Sequence, residues 1–499
     1  MISRTFDAFT RLHHARRASP KDCFGAMRLA MTSLRKEGLA CLICLLSLSG
    51  CTAWAPPAQD PPVAVWSDPG ALGLGPSASG SPLEAQWWRA YGSPTLDALM
   101  AQAVAQSPSL QVAQARWRRA AASIEAAEAL NRPQAWASVD ALHQRYTAKG
   151  LVPPPIAGSV QDTGTVQAQV AWEFDFFGKN QAALDAALGQ AKAAQADAAA
   201  ARIFLQTQVA RTYLRGASFY SLLRIAQRTL AQRQEVLSLV RARFQAGLDS
   251  EVELKQAESA LPDIRTQVEA LQEQIELTHH ALAALVGGAV PPSQFTAVEM
   301  SALRPLQVPN VLPADLLARR PDVLAAQWRV QAALSEQKLA QAQFYPNVNL
   351  VAFVGLSSLG LDRLLQSGSQ QWGVGPALRL PLFDTGRLRA NLQGKSAELD
   401  AAVHSYNAAV LDAVKEVVDP LTSLRTLAQQ QAQQAQALGI AQRTHELARQ
   451  RRDAGLTPTL QVLLAESNVL QQQRAELELQ ARLLDVQVSL VRALGAGFN

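Results

Sequence analysis

From Asn180 to Phe244 the chain runs without a proline and with only two glycines, in a texture of Ala, Gln, Arg and Leu. Read as one helix rising ~1.5 Å per residue, this stretch is on the order of 100 Å long. That exceeds a bilayer core of ~30 Å and is too long to pack inside a globular domain. Leu223, Leu230, Leu237 and Phe244 fall seven apart, and beyond a break at Gly247 so do Leu254, Leu261, Val268, Ile275 and Leu282. Such spacing predicts coiled-coil seams on two long helices joined by a tight turn. Pro262 interrupts the second seam and predicts a kink or a local loss of hydrogen bonding there.

The pattern recurs. Arg387 to Asp453 is again nearly uninterrupted, and it breaks at a glycine before Leu463, Leu470, Leu477, Leu484 and Val491 return seven apart. "RARFQAGLDSEVELKQAES" (241–259) aligns with "RQRRDAGLTPTLQVLLAES" (449–467), so Gly247 matches Gly455 and Ala257-Glu258-Ser259 matches Ala465-Glu466-Ser467. Gly178 matches Gly386 at the same offset, 455 − 247 = 208. A duplication follows, with a first repeat over 83–290 and a second over 291–499. Asp419-Pro420, inside the second long stretch, predicts a local bend.

Each repeat also carries a strand pair. "QAWASVDALHQRY" (Gln134–Tyr146) and "TVQAQVAWEFDFF" (Thr165–Phe177) alternate polar and apolar residues around a Pro/Gly-rich loop, Ala148–Gly164. "NVNLVAFVG" and "QWGVGPALRLPLF" repeat that texture in the second half. Period-2 strands with one apolar and one polar face suit a barrel between lipid and water. Ahead of the first pair, Trp87 to Pro133 reads as helical, with Ser93 as N-cap and Pro94 at the first helical position. Four strands cannot close a barrel, and an open edge cannot face lipid. Closure therefore requires several copies, and three would bring twelve strands, an even number in the usual range.

The net charge of +5 is confined to residues 1–50, which hold eight Lys/Arg and three acids. The rest is neutral, so no basic face for nucleic acid is indicated. "LACLICLLSLSG" (Leu39–Gly50), behind the positive "SLRKEG", is the length of a signal-peptide core and too short to span a bilayer. Residues 1–50 are thus expected to be a signal peptide, with Met27 or Met31 as the true start. Leu48-Ser49-Gly50-Cys51 resembles the lipobox of bacterial lipoproteins, which makes Cys51 the lipidated first residue of the mature chain. Residues 51–82, rich in Pro, Gly, Ala and Ser, read as its tether. Cys41-Leu-Ile-Cys44 has redox spacing but lies in the apolar run with no βαβ pattern around it. The seven histidines are scattered, and His279-His280 has no ligand partner at i+4. No metal site, nucleophile elbow or phosphate loop is present in the sequence, so an enzyme is not expected.

The sequence resembles the outer-membrane factors of tripartite efflux pumps, in particular the lipoprotein branch that serves resistance-nodulation-division pumps. The resemblance rests on "WWRAYGSPTLDALMAQAV", "WEFDFFGK", "FQAGLDSEVELKQAES", "LPADLLARRPDVLAAQ", "GPALRLPLFDTGRLRANL" and "RALGAGF", in that order from Trp87 to Phe498. It implies a mixed α+β membrane protein: a homotrimeric β-barrel of twelve strands, four per chain, continued by a long α-helical coiled-coil periplasmic tunnel. It implies a lipid-anchored outer-membrane location and a passive exit channel for small molecules. An inner-membrane pump and a periplasmic adaptor are then its partners, and no cofactor is expected beyond the lipid on Cys51. A duct of the same fold for type I protein secretion is the alternative. The resemblance places adaptor docking at two tips, Ala246, Gly247, Leu248, Asp249 and Ser250, and Ala454, Gly455, Leu456, Thr457 and Pro458. It places the closed aperture at Leu460 and at Leu464, which stands where the family has aspartate. The resemblance also assigns to this aperture gate Glu253, at the place where the family has aspartate in its first tip, and Arg451, which matches a basic position near the aperture that could hold the tip helices together by ion pairs. Two leucines per chain would gate by dewetting.

Overall fold

The computed structural model describes residues 84–291, 299–306, 320–381 and 383–495. The leader, Cys51 and its tether, and Leu317–Ala318–Arg319 of the "LARRPDV" segment lie outside those residues.

A 3-10 turn, Trp87–Tyr91, leads into α1 (Pro94–Gln106) and α2 (Pro108–Ala129). The Ser93 hydroxyl caps α1 as expected, accepting from Leu96 N at 3.3 Å, and also meets the Tyr213 hydroxyl at 2.6 Å. One helix was expected here and two are found. Pro108 pushes the residue before it out of the helical region, and Ser107 sits at φ −61°, ψ 120°.

The strands β1 (Gln134–Arg145) and β2 (Val160–Phe174) follow, then α3 (Lys179–Gln245, 67 residues) and α4 (Glu251–Val286). The second repeat gives α5 (Pro321–Ala342), β3 (Asn347–Leu359), β4 (Gln370–Arg379), α6 (Thr385–Asp453, 69 residues) and α7 (Thr459–Ala493). From the strand pair onward the order of elements is the same in both halves: two strands, a long helix, a turn and a returning helix. β2 begins at Val160, five residues before the expected Thr165, because the Tyr146–Ser159 backbone bond closes the hairpin early. The matched glycines Gly178 and Gly386 diverge in conformation. Gly178 is left-handed at φ 71° ahead of α3, whereas Gly386 lies inside α6. Helix α4 continues through Pro262 and α6 through Pro420; each ring removes one backbone donor without ending its helix.

The seams hold the long helices together. Leu237, Val268, Ile275 and Leu282 are buried, as are Leu463, Leu470, Leu484 and Val491. Phe244 leaves the seam and is exposed at the end of α3. The largest core joins Trp87, Tyr91, Leu96, Leu99 and Met100 to Val209, Tyr213, Leu282 and Leu484, so it packs the N-terminal segment against α3, α4 and α7. Burial pushes the Tyr91 hydroxyl far above its ordinary range.

The four strands form one antiparallel sheet in the order β1-β2-β3-β4. Its register sorts the two faces. Val139, Val166 and Leu356 share a row on one face; Ala137, Ala168, Val354 and Trp372 share the next. Ala135, Val170, Ala352 and Val374 continue that apolar face, and Leu350 and Leu378 extend it. The opposite face carries Ser138, Gln167, Gly355 and Gln371 in one row and Asp140, Thr165 and Ser357 in another. An apolar band on one side and polar side chains on the other is the two-sidedness of a lipid-spanning barrel wall. Gln371 donates to Gln167 at 3.2 Å across Gly355. A Cβ at Gly355 would stand 2.2 Å from the Val166 carbonyl oxygen, so only glycine fits there.

The foot of the sheet is aromatic. Trp172 donates through Nε1 to the Asn131 carbonyl at 3.0 Å, and Phe177 stacks on Tyr345 with centroids 4.9 Å apart. With Phe174 and the exposed Phe176 they form the belt that marks a membrane–water boundary. "WEFDFFGK" is thus the junction between barrel wall and helices.

Candidate functional site at the two helical tips

Both long helices stop in the same way. At the first tip Leu248 N donates to Arg243 O at 2.9 Å and Gly247 N to Phe244 O at 2.9 Å. At the second, Leu456 N donates to Arg451 O at 2.8 Å and Gly455 N to Arg452 O at 2.8 Å. This paired bonding around a left-handed residue is the Schellman ending. Gly247 and Gly455 have φ of 71° and 74°, where a side chain is strained. Nothing lies within 4 Å of a Cβ built on either glycine, so both turns are open to an approaching partner.

The apex residues are apolar and unburied: Leu248 is 67% exposed and Leu456 69%, and Val252 of the first tip is exposed beside them. Ala246 and Ala454, the helix C-caps, have nearly equal geometry at φ −82° and −83°. The duplication therefore presents the same apolar knob twice.

The flanking charges differ between the tips. Arg243 grips Asp249 with Nε and Nη2 at 2.9 and 2.8 Å. The hydrogen bonds from Arg243 hold the Asp249 carboxyl below its usual range. Ser250 caps α4, accepting from Val252 N at 3.2 Å, while Glu253 reaches back to Ser250 N at 2.9 Å and to its hydroxyl. This capping box, chiefly its side-chain bond to Ser250, also holds the Glu253 carboxyl low. In the second tip Thr457 replaces Asp249, Pro458 replaces Ser250 and Gln461 replaces Glu253. Pro458 has no side-chain cap to offer, and α7 begins without one.

Within the protomer Glu253 is engaged at its own helix terminus. Arg451, expected to tie the tip helices together, forms no ion pair within the protomer among the described residues. The ion pair that closes the first turn is Arg243–Asp249; at the second, Arg451 stands at the Arg243 position with Thr457 in place of the acid, and Arg452 pairs with Asp453 instead.

Leu460 and Leu464 also part company. Leu460 is half-buried against Val236, Val240 and Leu463, inside the bundle of α3, α4 and α7. Leu464, one turn on, is 47% exposed. Gln232 locks that bundle by donating to the Leu463 carbonyl at 2.7 Å.

A polar cluster away from the tips went unread in the sequence. Arg320, 5% exposed, forks onto Asp322 with Nε at 3.1 Å and Nη2 at 2.6 Å. It also reaches Glu416 of α6 at 2.7 Å, and the carbonyls of Ala413 and Ala493 at 3.4 and 3.3 Å. Arg492 of α7 completes the group on Glu416. Burial alone would lower the Arg320 pKa, but the bonds to Asp322 and Glu416 outweigh it and hold it high. One buried guanidinium thus joins α5, α6 and α7. The signal was there in "RRPDV", a basic residue before a proline N-terminus, but its partners lie 96 and 173 residues away.

A family model described as "Outer membrane efflux protein" matches residues 99–288 and 312–496, one segment per repeat. The chain belongs to the outer membrane efflux protein family. It is 33% identical over 475 residues to the multidrug resistance outer membrane protein MdtQ of Escherichia coli O6:H1, covering 92% of this chain and 98% of that protein. It is 33% identical over 441 residues to MdtP of Escherichia coli O157:H7, with 85% and 88% covered. Among solved structures, the outer membrane protein VceC of Vibrio cholerae superposes with a TM-score of 0.74 at 33% identity, covering 83% of this chain and all of that one. The Campylobacter jejuni CmeC outer membrane channel shares the fold, with a TM-score of 0.79 at 21% identity over 89% of this chain and 95% of that one. As an outer membrane efflux protein, this chain combines the strands of an outer-membrane barrel with a long coiled-coil helical body, as the sequence had implied.

Proposed function

We propose that three copies of this outer membrane efflux protein close their sheets into one barrel and their helices into one tunnel, giving a passive exit duct for small organic molecules. The observation that carries this is the sheet: four strands with an apolar face, and with β1 and β4 at open edges. Lipid tolerates no such edge. Related proteins named for multidrug resistance support small molecules over secreted polypeptides as cargo. The chain has no energy source and supplies no catalytic step. Driving force belongs to an inner-membrane pump of the resistance-nodulation-division class, reached through a periplasmic adaptor that meets Leu248 and Leu456. Deleting the gene should raise susceptibility to several unrelated antibiotics, and the gene on a plasmid should restore resistance. Susceptibility that stays at the parental level would count against an efflux duct.

Two further outcomes test the parts. Leu464 supplies the apolar constriction near the tips, so Leu464→Ala should raise single-channel conductance in planar bilayers; an unchanged current would remove Leu464 from the gate. Cys51 carries the lipid anchor. Cys51→Ser should abolish incorporation of labelled palmitate while leaving part of the efflux activity, because the barrel itself holds the protein in the membrane. Palmitate labelling that survives the substitution would place the lipid elsewhere.

A further inference from the structure

The polar face of the sheet, which lines the lumen of the barrel in the reading above, is not uniformly polar. One row across it reads Trp136, Gln169, Phe353 and Gly373 on β1, β2, β3 and β4. Trp136 is 46% exposed and Phe353 37% exposed. The neighbouring rows on this face offer Ser138, Gln167, Gly355 and Gln371 on one side and Gln134, Ala171, Val351 and Gly375 on the other. The exposed leucines of the face, Leu142 and Leu359, lie at the outer ends of their strands. Two aromatic rings therefore share one level of a wall that otherwise avoids aromatics.

Phe353 is seated rather than loose. A Cβ added at Gly373 would meet Phe353 Cε1 at 2.6 Å and Cζ at 2.9 Å, so the ring lies across the glycine backbone and needs it bare. Such covering of a strand glycine by a cross-strand aromatic fixes the ring's position. Trp136 stands two strands away, about 10 Å between backbones. Gln169 lies between them with an amide that both donates and accepts. Asp140 faces the same side, four residues further out along β1, and forms no ion pair among the described residues. An aromatic pair with a carboxylate about 13 Å along the strand suits one ligand class above others. Ring faces attract flat π-systems and cations, and the carboxylate adds attraction for positive charge.

We propose that Trp136 and Phe353 form a lumenal subsite for aromatic organic cations in transit, with Asp140 drawing the charge toward it. The proposal rests on the barrel reading, because the row lines a passage only if this face is the lumen. In that passage the subsite gives such solutes a resting position between tunnel and exterior. It must be weak enough to release them, which suits two rings without a buried ion pair.

The test uses the full-length protein in detergent, labelled with 5-fluorotryptophan, with the Trp136 resonance assigned by its loss in Trp136→Phe. Titration with benzyltriethylammonium should shift that resonance saturably, and tetraethylammonium should bind at least about tenfold more weakly. Phe353→Ala should weaken benzyltriethylammonium by about tenfold. Gly373→Ala, which displaces the ring without removing it, should weaken it in the same direction. Asp140→Asn should weaken the aromatic cation and leave neutral benzyl alcohol unchanged. A shift that does not saturate, or equal affinities in wild type and Phe353→Ala, would overturn the subsite. Failure of the efflux reading shows separately, as a deletion strain whose resistance is unaltered; the NMR titration does not depend on that result.

Discussion

Arg320→Ala should lower the unfolding free energy of the solubilised protein by about 3 kcal/mol, the cost of removing one partner from a buried ion pair. The guanidinium is buried and bonds to Asp322, Glu416 and two backbone carbonyls. Glu416 keeps Arg492 after the substitution, but the Ala413 and Ala493 carbonyls lose their donor. Arg320→Lys retains the charge and loses the fork, so it should fall between wild type and alanine. The pH dependence has a definite sign. Burial would raise the Asp322 pKa, yet the bonds from Arg320 reverse this and hold it below the usual carboxylate range. A depressed carboxyl contributes stability that is complete above the unfolded value of ~3.9 and is lost as pH falls through the folded one. The gap between wild type and Arg320→Ala should therefore begin to narrow as pH falls below about 4 in thermal unfolding followed by circular dichroism, by the share that the Arg320–Asp322 bonds supply. Equal midpoints at neutral pH would show that the group is not a brace.

What the sequence revealed follows the range of the forces involved. A nearly uninterrupted texture of helix formers set α3 and α6 to within two residues at each end, although α6 carries Pro420, because helix propensity is written locally. The alternation of β2 was read correctly over Val166–Phe174, and its hidden start at Val160 depended on a hairpin closed by cross-strand bonds. The tips were legible through Gly247 and Gly455, whose left-handed turns require glycine. Their charges were not. The acid opposite Arg243 is six residues on, in a turn whose shape decides whether the two meet. The repeat alignment pairs Arg451 with Arg243 and Thr457 with Asp249, but only the folded first turn shows that Arg243 and Asp249 meet. The Arg320 cluster needed three helices in place before it existed at all.

Changing both apex leucines, Leu248→Asp and Leu456→Asp, should abolish restored antibiotic resistance while leaving expression and assembly intact. Each leucine leaves about two-thirds of its surface uncovered by the protomer. A large side chain on a rigid turn, clear of its own fold, is the arrangement of an interface anchor. Losing one such anchor costs on the order of 2 kcal/mol, or about thirtyfold in affinity, and a carboxylate in its place adds a desolvation penalty. The single variants separate the two tips. The first is braced by Arg243–Asp249 and the Ser250–Glu253 cap, whereas the second lacks both devices. A braced turn loses less freedom on binding, so Leu248→Asp should be the more damaging of the two. Drug susceptibility of the complemented deletion strain, read beside cross-linked trimer on a gel, makes the comparison. Full resistance with intact trimer in the double variant would remove the tips from docking; trimer lost together with resistance would move these leucines from docking to assembly.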